Sequence, residues 1–263
     1  MPKLAAIVSY CCNERPFIRS LIRNALLFAD VVVIAVGTRL FTGEPEDEEN
    51  LSYLSLEFPS LRISRYNVTD TLLSEPIVLH NHARKAGLYA ATEALGTADF
   101  WALLLDGDEV PDGADVAAWW SEKGAAFSPT TALKMANYWY FLDPRLVAET
   151  FEDSVLLVHA SCLTDGALSH PRERDGILAY NNLCAHRNVL GLLGVPMFHH
   201  YSWVRADRAA LLRKVSNWGH TNDRPWASLL QEQMDEFDAG RWPDRDFVHG
   251  YVLHQVEPRH QIL

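Results

Sequence analysis

Two carboxylates one residue apart, Asp106 and Asp108, stop the short apolar run Phe100–Leu105. If both stay ionised about 4 Å apart they repel by roughly 4 kcal/mol at an effective dielectric of 20, so a site that keeps them charged usually supplies a cation. A divalent metal is the obvious one. The tripeptide alone says little, because roughly one Asp-x-Asp is expected by chance in such a chain. Asp244-Arg245-Asp246 reads as that chance case. Location carries the signal: a continuous apolar run suits a parallel strand buried on both faces, and ligands of open α/β sheets bind beyond the carboxyl ends of the strands. The alternative is a cap, with Asp106 or Asp108 accepting backbone N–H bonds ahead of a helix from Asp112. On the ligand reading, Asp108→Asn impairs turnover far more than folding.

The elements that must position these acids alternate. Leu4–Ser9 and the β-branched Val31–Val36 read as buried strands, with a helix between them carrying Phe17, Leu21, Ile22, Ala25 and Leu26 at helical spacing. Gly37–Asn50, rich in glycine, proline and acids, reads as a mobile loop. A short helix over Leu51–Phe58, a third strand over Leu61–Val68 and a helix over His80–Leu95 ended by Gly96 lead into the central strand. Strand and helix thus alternate as in a doubly wound sheet. Strands are expected at Thr131–Phe141 and Ser154–Cys162, and closing helices at Asp207–Trp218 and Trp226–Phe237. No linker divides the chain, so one α/β domain over residues 1–263 is expected.

The chain has 263 residues, 48% hydrophobic and 22% charged, enough for a sizeable core in a soluble globular protein. A formal net charge of -11 without a basic block argues against nucleic acid as partner. Cys11, Cys12, Cys162 and Cys184 form neither a disulfide framework nor a Cys-x-x-Cys zinc pair, so reduced thiols and a cytoplasmic setting are the default. The N-terminus is too short in apolar residues for a signal peptide, and no apolar run reaches membrane-span length.

The segments AAIVSYCCNERPFIRSLIRNAL and HARKAGLYAATEALGTADFWALLLDGDEVP resemble the nucleotide-sugar half of glycosyltransferase family 2 and its GT-A relatives, over roughly the first 115 residues. Asn13, Glu14 and Arg15 match the loop after the first strand; Ala83, Arg84, Gly87 and Leu88 match the helix before Asp-x-Asp. The resemblance implies a GT-A fold: a Rossmann-like mixed sheet flanked by helices, with a C-terminal helical segment. It implies a sugar moved from a nucleoside-diphosphate donor to a glycan or other hydroxyl acceptor, with residues 1–115 taking the donor and 116–263 the acceptor side. Manganese or magnesium would bridge the diphosphate and Asp108, with Asp106 nearer the ribose, and Arg84 and the loop from Tyr10 through Asn13 to Glu14 would line the nucleotide. The acid that commonly follows the second strand in that family is missing until Glu44.

VPMFHHYSWVR, Val195–Arg205, resembles the late part of GT-A enzymes in which a histidine completes the metal site, so His199 or His200 is a candidate ligand. Imidazole suits manganese better than calcium. The alternative is a pair of polar residues flanking a strand. As a ligand-bearing loop, the stretch from His199 would be mobile and close over the donor, bringing Arg205 to the diphosphate. Arg208 and Lys214 could also hold phosphate or could be a solvated helix face. Transfer by direct displacement needs a carboxylate to take the acceptor proton; Glu152 or Asp153 could serve, with Asp165 and Glu173 as rivals. In Asn137–Phe141, alternation puts Tyr138 and Tyr140 on one face and Trp139 on the other, a surface that suits a sugar ring or a core strand. His80 and His82, two apart on a helix, face different ways and do not share a metal.

A nucleotidyltransferase would also place acids near a nucleotide, but it usually opens with a Gly-rich loop, and here that position reads SYCCNERP. A non-catalytic sugar- or nucleotide-binding module that keeps the fold is the remaining alternative.

Overall fold

The computed structural model describes residues 1–217 and 224–260. In chain order the elements are β1 (Leu4–Tyr10), α1 (Arg15–Ala25), β2 (Val31–Gly37), α2 (Glu48–Glu57), β3 (Arg62–Tyr66), α3 (Asp70–Leu73), α4 (Pro76–Leu95), β4 (Trp101–Asp106), β5 (Glu109–Pro111) and α5 (Gly113–Lys123). The second half adds β6 (Ala132–Ala148), β7 (Glu152–His159), α6 (Asp165–Leu168), α7 (Glu173–Tyr180), β8 (Ala185–Val189), β9 (Phe198–Val204), α8 (Arg208–Ser216), α9 (Trp226–Asp238) and β10 (Leu253–Gln255).

The strands form one mixed sheet in the order β3-β2-β1-β4-β7-β6-β9-β5, with β8 and β10 also paired to β6. β1 pairs parallel with β2 and β4, and β2 with β3, as the alternating first half predicts. That pattern ends at β4, whose other edge takes β7 antiparallel.

Side chains alternate across β1. Leu4, Ala6 and Val8 join a core with Phe17 and Leu21 of α1, Leu54 of α2 and Trp119 of α5. Ala5 and Ile7 join a second core with Ala91 of α4 and Ile177 of α7. Burial on both faces explains why these strands are continuous apolar runs. α4 lies so close to β1 that a Cβ at Gly87 would collide with Ile7 Cγ2. Pro76 starts this helix, four residues before the expected His80, and Gly96 ends it at φ 64°.

Two local expectations are corrected. Gly37–Asn50 is pinned: Arg39 bridges Pro45, and the buried Glu46 carboxylate accepts the Cys12 N–H at 3.0 Å. The stretch from His199 is no free loop but β9, paired on one side to β6 and on the other to β5, with Tyr201 and Trp203 buried. Its polar members hid a strand that packs on both faces. The predicted α8 terminus, Trp218, lies outside the described residues. No helix among those residues is long and apolar enough to cross a membrane.

Candidate active site

β4 delivers Asp106 at its carboxyl end, and the turn through Gly107 places Asp108 before β5. A Cβ at Gly107 would lie 2.8 Å from Glu14 Cβ, so only glycine lets this turn pack against the loop after β1. Here a cleft of about 710 Å³ opens, lined among others by Tyr10, Glu14, Asp106, Asp108, Trp139, Glu152, Asp153 and His200. Neither aspartate caps α5; the Gly113 N–H goes to Asn24 Oδ1 at 3.2 Å.

Asp106 is met by the protein's own cations. Its Oδ1 lies 3.0 Å from Arg174 Nη2, 3.0 Å from His80 Nε2 and 3.6 Å from Arg84 Nη2. Burial would raise this carboxyl, but Arg174, His80 and Arg84 hold it well below the usual range. Glu109, fully buried, takes Arg174 at both oxygens (2.9 and 2.7 Å) and accepts the Asp106 N–H at 2.7 Å. Burial and Arg84 push His80 down, yet Asp106 and Glu173 outweigh them and raise it to about 9.

Asp108, 2% exposed, divides its oxygens. Oδ2 lies 2.9 Å from Lys214 Nζ and 3.3 Å from Arg205 Nη2, whereas Oδ1 lies 3.7 Å from His200 Nε2. Burial opposes ionisation, but Lys214, His200 and Arg205 keep the carboxyl well below its ordinary value. On its other nitrogen, His200 Nδ1 is 3.1 Å from Glu152 Oε2, and Glu152 Oε1 is 2.9 Å from His249 Nε2. Burial is again outweighed: bonds from His200 and His249 bring Glu152 down to about 2.

In the cleft, Asp108 Oδ1 and His200 Nε2 face each other without a hydrogen bond and leave room for a divalent ion between them. Atoms bound about 2.1 Å from a shared ion stand roughly 3–3.7 Å apart, which Asp108 Oδ1 and His200 Nε2 satisfy. A carboxylate accepting Nδ1–H leaves Nε2 as the ligating nitrogen. The protein's own cations answer both acids, Arg174, Arg84 and His80 at Asp106 and Lys214 and Arg205 at Oδ2 of Asp108, which leaves Oδ1 of Asp108 as the oxygen facing His200.

Strand alternation separates the two histidines that the sequence left open. His200 joins the cleft, while His199 turns to the other face, with Nε2 3.1 Å from Asp112 Oδ2 and Nδ1 2.9 Å from the Tyr140 hydroxyl. Asp112, His199 and His260 place ligand atoms within 4.8 Å of one another, a cluster that could hold a divalent metal. Tyr138 and Tyr140 stack on His199, whereas Trp139 lines the cleft against the rings of His200 and His249.

Of the expected nucleotide-binding residues, Tyr10, Glu14 and Asp106 line the cleft. Asn13, Arg84 and Arg205 are buried and are not among its lining residues. Arg205 donates to the Tyr201 and Val204 carbonyls and lies over the Phe17 ring, so it reaches the cleft through Asp108 and Glu14. Asp153 lines the cleft and pairs with Arg187 at 3.1 Å. Among the rival bases, Glu173 joins the His80 network, while Asp165 pairs with Lys85 at 2.8 Å. Asp246 of the chance Asp-x-Asp accepts three backbone N–H bonds within its own turn. Arg174, Glu109 and His249 escaped the sequence reading; no motif spacing marks Arg174 and Glu109, which lie 65 residues apart.

No family model matches the chain, and no curated protein matches it. Among solved structures it is similar to residues 1–349 of TarS from S. aureus, at 12% identity and a TM-score of 0.42, covering 87% of this chain and 77% of that one.

Proposed function

We propose that the chain is a metal-dependent glycosyltransferase, of GT-A type and acting as a single domain, that moves a sugar from a nucleoside-diphosphate donor to an acceptor hydroxyl. The observation that carries this reading is the contact series Glu152, His200, Asp108 at the end of the central strands, beside a cleft of nucleotide-sugar size. When bound, manganese or magnesium would neutralise the diphosphate and the charge developing on the leaving group. Asp108 and His200 would hold it, and Glu152 would orient His200. Arg39, Lys134, Arg187 and Arg224 line the cleft and bring further positive charge to the phosphates. Trp139 offers a ring to the sugar.

In a direct displacement the acceptor oxygen bonds to the anomeric carbon as the bond from that carbon to the diphosphate breaks, and the electron pair leaves with the diphosphate. Asp153 takes the acceptor proton. Glu152 is the poorer base, since His200 and His249 bring its carboxyl down to about 2.

Calorimetric titration with UDP and with GDP, in manganese and in chelator, tests the reading. Binding of one diphosphate with manganese and loss of it in chelator is expected; equal affinity in both conditions removes the metal bridge. Release of nucleoside diphosphate from a sugar-nucleotide panel, abolished by Asp153→Asn, then tests transfer itself.

A further inference from the structure

We propose a second metal site, of zinc type, formed by Asp112, His199 and His260 on the face of β9 turned away from the cleft. It is independent of the glycosyltransferase reading, because none of the three residues lines the cleft.

Three separate parts of the chain meet there: the residue before α5, the second position of β9, and the segment after β10. His199 Nε2 lies 3.1 Å from Asp112 Oδ2, and His260 Nε2 lies 3.7 Å from Asp112 Oδ1. Two imidazoles and one carboxylate form a donor set that zinc takes, at bonds of about 2.0–2.2 Å, with the fourth tetrahedral position left to water. Ligand atoms around such an ion stand about 3.3–3.5 Å apart, and the three here, one from each residue and all within 4.8 Å of one another, would draw together to close on it.

Two further observations point to a ligand. His260 Nε2 is buried and has no hydrogen-bond partner among the described residues, although its ring is only 11% exposed. A buried imidazole nitrogen without a partner is costly, and an ion would satisfy it. The Tyr140 hydroxyl, 2.9 Å from His199 Nδ1, can accept Nδ1–H and so present Nε2 as the ligating atom, the outer contact that metal-bound histidines usually make. The competing cation is Arg259, 3.2 Å from Asp112 Oδ2; its side chain is 58% exposed and free to turn into solvent when a dication arrives. An ion here would tie the segment that follows β10 to β9 and to the start of α5.

The test is titration of metal-stripped protein with Co2+ alone, followed by visible d–d absorption and calorimetry. One Co2+ per chain with tetrahedral-type absorption is expected in His200→Ala, which takes the cleft pair out of the count, and the same absorption band is expected in the wild type. Affinity should fall by roughly tenfold or more in His260→Ala and in Asp112→Asn, and rise in Arg259→Ala. Circular dichroism melts in chelator establish which variants fold, and two ligand variants are used so that either can decide. The proposal is overturned if the wild type takes up no Co2+ in this way, or if the folded ligand variants bind it with unchanged affinity.

Discussion

The two nitrogens of His200 are divided between two acids: Nδ1 lies 3.1 Å from Glu152 Oε2, and Nε2 lies 3.7 Å from Asp108 Oδ1. Glu152 thus sets which nitrogen faces Asp108. Glu152→Ala should lower manganese-supported diphosphate affinity by about 10–100-fold, with no direct loss of a ligand. Calorimetric titration measures it; an unchanged Kd would mean that the ring needs no such orientation.

Asp108→Asn is expected to cost stability as well as turnover. The sequence alone places this residue at a strand end and forecasts a change felt far more in turnover than in folding, but the structure buries it against Lys214 and Arg205. Removing one partner of a buried pair costs about 3–5 kcal/mol, because the remaining charge is left uncompensated. Urea denaturation should show a markedly lower midpoint, partly restored by adding Lys214→Met. A midpoint equal to wild type would mean that Glu14, 3.6 Å from both cations, carries the balance.

His80 gives stability a pH dependence of known sign. Its folded pKa, raised to about 9 by Asp106 and Glu173 against burial and Arg84, lies above the ordinary 6.5. The imidazolium contribution is therefore full below about 6.5 and is lost as pH rises through about 9, with an upper limit of about 3 kcal/mol. Unfolding midpoints between pH 6 and 10 should fall in the wild type and flatten in His80→Gln. Parallel slopes for the two proteins would exclude His80 as the source.

Gly107→Ala should destabilise the chain by about 1–3 kcal/mol, since the added methyl meets Glu14 Cβ at 2.8 Å and Cγ at 2.9 Å. Because the same turn carries Asp108, diphosphate affinity should fall with it. A stable variant with weakened binding would show that the turn shifts as a unit; wild-type values on both measurements would refute the close approach.

Much of the first half was legible as sequence. Buried parallel strands need apolar residues on both faces, so β1, β2 and β4 appear as continuous runs, and α1 and α4 show their core faces at helical spacing. The position of Asp106 and Asp108 at a strand end follows from that alone. β9 was not legible in the same way, because His199, His200 and Ser202 break the apolar run. Its burial depends on β5, β6 and the neighbouring aromatic rings, all distant in sequence.

The sequence by itself therefore determined the alternating strands and helices of the first half and where two acids interrupt them, since local periodicity carries that information. Only the tertiary structure decided what answers those acids. Arg174 and His80 reach Asp106 from separate helices, and Lys214 reaches Asp108 from 106 residues away. It also decided that His200 faces the cleft and His199 faces Asp112, because neighbours on a strand point to opposite faces and pairing with β5 and β6 fixes which face is which.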